Sequence, residues 1–180
     1  MIRIPRTRKL RRSHRRGQAM VEFGLVVGLF MLVIGGIVQF GVIFWSQNTI
    51  TQIARDTARY AVTLSDSPCD PQARPEIATA ADMLARSSSL VGYVSGQWSA
   101  APAISSLGPE GVGVDWIVPT GYFDEDCPPS DNKIAVNVRV RINHAVPIFL
   151  PGLQFVAPPC PSGGFCLTTE TELRMEPKSR

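Results

Sequence analysis

The segment "RRGQAMVEFGLVVGLFMLVIGGIVQFGVIFW", residues 15–45, decides how the rest of the chain is read. Two arginines and Gly17 lead into an apolar run whose single acid, Glu22, stands at the entrance. From Phe23 to Trp45 there are 23 residues with no formal charge and one strong polar group, Gln39. A helix needs about 20 apolar residues to cross a hydrocarbon core of roughly 30 Å. A secretory signal has a shorter apolar core and a small-residue cleavage site soon after it. "FWSQNTITQIARD", residues 44–56, offers no such site. The run therefore predicts a retained, single-pass membrane helix over residues 18–45, with Phe44 and Trp45 at the outer interface, where aromatic rings settle.

The charge distribution orients this helix. The chain has 180 residues and a net charge of +3, yet residues 1–16 hold eight of its 18 basic residues and no acid. A basic tail directly before a hydrophobic segment is retained on the cytoplasmic side. Residues 1–17 are then cytoplasmic, and everything from about residue 46 lies outside the membrane. The tail has no interleaved aromatic residues and no recognition fold, which argues against a nucleic-acid partner.

Gly24 and Gly28 make a G-x-x-x-G, and Gly35 follows on nearly the same helical face. Such a face admits the close approach of another helix. Beyond the apolar run, "SQNTITQIARDTARYAVTL" (46–64) has neither Pro nor Gly. Ile50, Ile53, Thr57, Ala61 and Leu64 form one stripe, opposite Gln52, Arg55, Asp56 and Arg59. The helix is expected to continue outside the membrane over 46–65, with this stripe against a domain formed by residues 66–180.

"SDSPCDPQARP" (65–75) breaks the helix, and residues 76–90 read as a short second helix with Ile77, Ala80, Ala81, Leu84 and Ser88 on one side. The period then changes to two. In "KIAVNVRVRINHA" (133–145), Ile134, Val136, Val138, Val140 and Ile142 oppose Ala135, Asn137, Arg139, Arg141 and Asn143. In "LTTETELRME" (167–176), Leu167, Thr169, Thr171, Leu173 and Met175 oppose Thr168, Glu170, Glu172, Arg174 and Glu176. If these strands are neighbours, the glutamates can pair with Arg139 and Arg141. "GVGVDWIVP" (111–119) is a third strand and residues 97–105 a weak fourth. The expected class is α+β: a long N-terminal helix packed on a small, mostly antiparallel sheet.

All four cysteines, Cys69, Cys127, Cys160 and Cys166, follow the apolar run, as disulfides in an exported part would. Three pairings are open, and four reduced thiols are the alternative. The short gap in "CPSGGFC" points to Cys160–Cys166, which would leave Cys69–Cys127. The apolar connection "PIFLPGLQFVAPPCPSGG" (147–164) is expected to be packed, stapled by cysteine, or in contact with a partner or lipid headgroups.

No catalytic constellation, metal site or cofactor motif stands out, so neither an enzyme, a cofactor nor a small-molecule substrate is expected. His144 is placed on the polar strand face as a solvated or hydrogen-bonded residue, and "DEDC" (124–127) reads as a solvated turn without the ligand alternation of a calcium loop.

"GQAMVEFGLVV" (18–27 with Gly17 before it), "IVQFGVIFWSQNTITQIARDTARYAV" (37–62) and the strand pattern ending in "LTTETELRME" together resemble the TadE-like family of the tight-adherence (Flp) pilus system, whose members are pilin-like. The resemblance implies cleavage by a prepilin peptidase between Gly17 and Gln18, which makes Glu22 the fifth residue of the mature chain. It implies that Glu22 neutralises the new α-amine of a neighbouring subunit during assembly, since a carboxylate in low dielectric needs a cation. It implies other pilin subunits and the pilus assembly platform as partners, and, given the size of the exported domain, a minor component and not the bulk subunit. The competing expectation is an uncleaved, single-pass anchored protein whose outer domain binds a ligand or partner, with Glu22 an interfacial acid favoured by the helix dipole.

Overall fold

The computed structural model describes residues 14–64, 73–98, 100–101, 103–117, 137–150, 160–161 and 163–175. One helix, α1 (His14–Leu64), carries the whole apolar run and the amphipathic segment after it without a break. The chain divides into two compact units, Met1–Val38 and Gln39–Arg180, and α1 contributes to both.

In the first unit, the described part of α1 carries apolar side chains all round. Met20, Val21, Phe23, Leu25 and Leu29 are all more than 60% exposed. An all-apolar, exposed helix of this length is a candidate membrane span by length and composition.

The second unit is α+β. Helix α2 (Ala73–Ser87) is followed by β1 (Ala100–Ala101), β2 (Gly111–Ile117), β3 (Asn137–Val146) and β4 (Phe165–Arg174). The strands lie in the order β1-β2-β3-β4. The β2–β3 and β3–β4 pairs are antiparallel, and the two-residue β1 joins β2 in parallel.

The period of two works as expected over the described part of the strand, while Ile134, Ala135 and Val136 lie outside the described residues. Val138, Val140 and Ile142 are fully buried, and Val112, Val114 and Leu167 join them in one core. Against this face lies the second half of α1. Ile50, Ala54, Ala58 and Ala61 are completely covered, Ile53 nearly so, while Gln52, Arg55, Asp56 and Arg59 face out. Three of the five covered side chains are alanines, and they share one core with the strand residues. Each large aliphatic side chain buried here contributes about 1.5–3 kcal/mol. Helix α2 buries Ala73, Ile77, Ala78, Ala81, Asp82 and Ala85. The buried face is thus turned from the expected stripe: Ala80 and Leu84 are only partly covered, and Asp82 is inside.

On the opposite sheet face, Arg139 pairs in register with Glu172 and Arg141 with Glu170. Arg139 Nε lies 3.0 Å from Glu170 and Arg141 Nε 3.1 Å from the same carboxylate. Neither Nε–H is aimed well enough for a hydrogen bond, so these contacts act as screened ion pairs, each worth under about 1 kcal/mol. Strand β2 is covered on this side too, by a 3₁₀ turn (Ile104–Ser106). A side chain at Gly113 would stand 3.1 Å from the Ile104 backbone, so glycine is what lets the turn close over the strand.

Candidate functional site

The residues expected to govern processing lie at the start of α1. Gly17 and Gln18 are helical and exposed, as is Glu22 one turn on. The Gln18 side-chain amide donates to Glu22 Oε1 at 3.0 Å, and among the described residues no cation is paired with Glu22. Gly24 and Gly28 are exposed, with open space where a Cβ would be; Gly35 is half-buried.

In the other unit, Gln39 has a role that the sequence does not announce. It is 1% exposed. Its Nε2 donates to the Pro147 carbonyl at 3.2 Å, and its Oε1 accepts from the Phe149 N–H at 2.8 Å. A carbonyl only accepts and an N–H only donates, so the two partners fix which way the amide points. The connection after β3 is therefore held by its backbone, while the Phe149 ring is 65% exposed. Six residues along α1, the Trp45 indole N–H reaches the Ser89 carbonyl at 3.4 Å.

Cys160 and Cys166 form a disulfide with Cα atoms 5.2 Å apart, closing the loop onto the start of β4 as the short spacing suggested. Inside it, Gly163 and Gly164 take positive φ angles of 86° and 90°. Cys69, Cys127 and residues 124–127 lie outside the described residues.

His144 corrects the sequence expectation. It stands on the buried face of β3 with Ile142, fully covered, and not on the polar face. Its Nε2 lies 2.9 Å from the Val91 carbonyl. That oxygen can only accept, so Nε2 carries the proton. Nδ1 is buried without a partner, and Trp98 packs edge-on at 6.0 Å between ring centres. Burial holds its pKa below the ordinary histidine value, against the opposing pull of the Val91 carbonyl and the Glu110 charge.

Asp82 is a second buried polar centre. It accepts from the Tyr93 hydroxyl, from the Gly96 N–H at 3.0 Å and from Arg86 at 2.7 Å. Burial alone would raise its pKa. The Tyr93, Gly96 and Arg86 donors outweigh that and hold it below the usual carboxylate value. Tyr93 answers in the other direction, pushed up to about 12 by burial and by the Asp82 carboxylate. The cluster fastens the 93–96 turn to α2. It faces no described cleft, and its chemistry is that of a structural tie. Among the described residues, no three His, Cys, Asp or Glu side chains gather to hold a metal ion.

The TadE-like protein family model matches residues 17–59, so the match begins at Gly17, includes Glu22 and covers most of α1. It is the family that the sequence resembles, over the most specific part of that resemblance. No curated protein and no solved structure matches the chain.

Proposed function

We propose that this chain is a minor, pilin-like component of a tight-adherence pilus assembly system, cut by a prepilin peptidase between Gly17 and Gln18. The observation that carries this reading is the family match over residues 17–59, which starts at the glycine of the junction. Residues 1–17 are the cytoplasmic leader, 18–45 the membrane helix, 46–65 its extracytoplasmic continuation and 66–180 the exported domain.

The chemistry of the junction supports it. Cleavage creates an α-amine on Gln18, one turn from a carboxylate that is exposed and has only an amide for company among the described residues. In lipid, an isolated carboxylate is destabilised strongly unless a cation joins it. The amine of a neighbouring subunit supplies that cation, and the open Gly24–Gly28 face lets the neighbour's helix approach. The protein acts by helix packing in filament initiation or assembly, with the peptidase, other pilin subunits and the assembly platform as its partners.

The test is intact mass and N-terminal peptide mapping of the protein purified from its own membrane. A mature start at Gln18, abolished by Gly17→Ala, is the expected result. An uncut chain in cells that contain the peptidase would leave an anchored, single-pass protein whose outer domain serves a binding role.

A further inference from the structure

Gln39 lies within the apolar run that ends at Trp45, six residues further on. At 1.5 Å per residue, Gln39 stands about 9 Å before Trp45 along the helix axis. Side chains on a helix lean toward its N-terminus, so the Gln39 amide lies at its own Cα level or on the membrane side of it. The backbone of Pro147 and Phe149 is bonded to that amide. The loop after β3 is thereby held beside the apolar part of α1.

With Trp45 in the headgroup layer, where aromatic rings settle, the loop reaches about 9 Å deeper, to the boundary with the acyl chains. Non-helical backbone survives there only when its polar groups are satisfied internally. Here Gln39 takes both the Pro147 carbonyl and the Phe149 N–H. Prolines at 147 and 151 carry no N–H to satisfy. Phe149 is left 65% exposed, with Phe40 and Phe44 exposed on the helix beside it.

We infer that the Pro147–Leu150 loop is a second membrane contact of the exported domain, with the Phe149 ring inserted at the boundary between lipid headgroups and acyl chains. The contact rests on α1 being the membrane span, as the proposed function does, but not on cleavage at Gly17. It would fix the domain's height and rotation on the bilayer before any assembly takes place.

The test uses the full chain in its own membrane, with a photoreactive benzophenone side chain incorporated singly at position 149, at Val33 in the apolar run, or at Tyr60 on the outer part of α1. Resistance of the domain to limited proteolysis verifies folding, and position 148 serves if the 149 probe disturbs it. Lipid-linked product at 33 and 149 but not at 60 is the expected pattern. Lipid product at 33 with none at 149 overturns the loop contact and leaves the membrane helix standing. Crosslinking at 149 to a second copy of the chain also overturns it, in favour of a subunit interface. Absence of lipid product at 33 removes the membrane span and the loop contact with it.

Discussion

The side-chain oxygen of Gln39 accepts a hydrogen bond from the backbone N–H of Phe149, 110 residues away in the chain. The same amide donates to Pro147, so one polar residue in an apolar helix satisfies two backbone groups of a loop that belongs to no strand. Gln39→Leu suits the helix equally well but orphans both groups. The expected loss is roughly 1–3 kcal/mol, the usual penalty for stranding buried partners. Hydrogen exchange on the full chain in mild detergent should show the Phe149 amide losing protection while the α1 amides keep theirs. Unchanged protection at Phe149 would mean that the loop is held by something other than Gln39.

The Asp82–Tyr93 bond makes a prediction at alkaline pH. Tyr93 has its pKa raised from 10.0 to about 12 in the folded protein. A raised native pKa means that the unfolded chain gives up the phenol proton first. The stabilisation is complete below pH 10 and is lost as pH rises from 10 toward 12. Tyr93→Phe should lower stability at neutral pH by roughly 1–3 kcal/mol, since Asp82 loses a donor, and should flatten this alkaline decline. Urea unfolding at pH 8 and pH 11 reads both effects. A decline of the same steepness in the variant would assign it to another group.

Much of this architecture is readable in the sequence, and what is not has a physical reason. Alternation along β3 and β4 identifies the buried face and gathers the arginines and glutamates on the other, but a slip of two residues keeps every side chain on its face, so the pairing of Arg139 with Glu172 comes from the structure and not from the period. The outer stripe of α1 follows in the same way from a period of 3.6. Gln39 stands out as the one polar residue of its run, but its partners are backbone groups 108 and 110 residues away in a proline-rich connection, and no side-chain pattern encodes them. His144 shares the parity of Ile142 and Val140, so the period alone puts it inside, and its polarity points the other way. Its partner is a main-chain carbonyl at Val91, which no composition reveals. The two residues of β1 are too few to show any period. At the junction, Gln18 and Glu22 are four apart, and their hydrogen bond follows directly from helical spacing.

The Cys160–Cys166 bridge closes a loop whose tightest point is Gly164. A Cβ there would fall 2.3 Å from the Val146 carbonyl oxygen, at a φ of +90°. Gly164→Ala should therefore disturb the β3–β4 junction more than replacing both cysteines with serine, which removes a short cross-link worth about 2 kcal/mol. Comparing urea midpoints of the two variants decides the order. If the cysteine variant is the weaker, the bridge and not the glycine closes the loop.

His144 predicts an acid-side weakness. Its pKa lies below the ordinary value of 6.5 in the folded state because the ring is buried, with the Nε2 proton on Val91 and Nδ1 facing no acceptor. On unfolding the ring regains its ordinary pKa, so as pH falls through about 6.5 the unfolded chain takes up a proton that the native chain refuses. The stabilisation is complete above that pH and declines below it until the native pKa is reached, with a slope of at most about 1.4 kcal/mol per pH unit for one proton. Glu110 is the charge that opposes the effect, and its removal should leave the onset near 6.5 but carry the decline further toward low pH, by making the native ring still harder to protonate. Asp82 is a separate contributor, since its lowered carboxylate pKa confines its own loss to pH below 3.8. His144→Gln keeps a side-chain N–H for Val91 and cannot titrate in this range. Its stability should start lower at pH 7.5 and then stay level to pH 5, where the native chain declines. A variant that still loses stability in parallel with the native chain would show that the acid sensitivity belongs to other groups and that His144 takes up its proton equally in the folded and unfolded states.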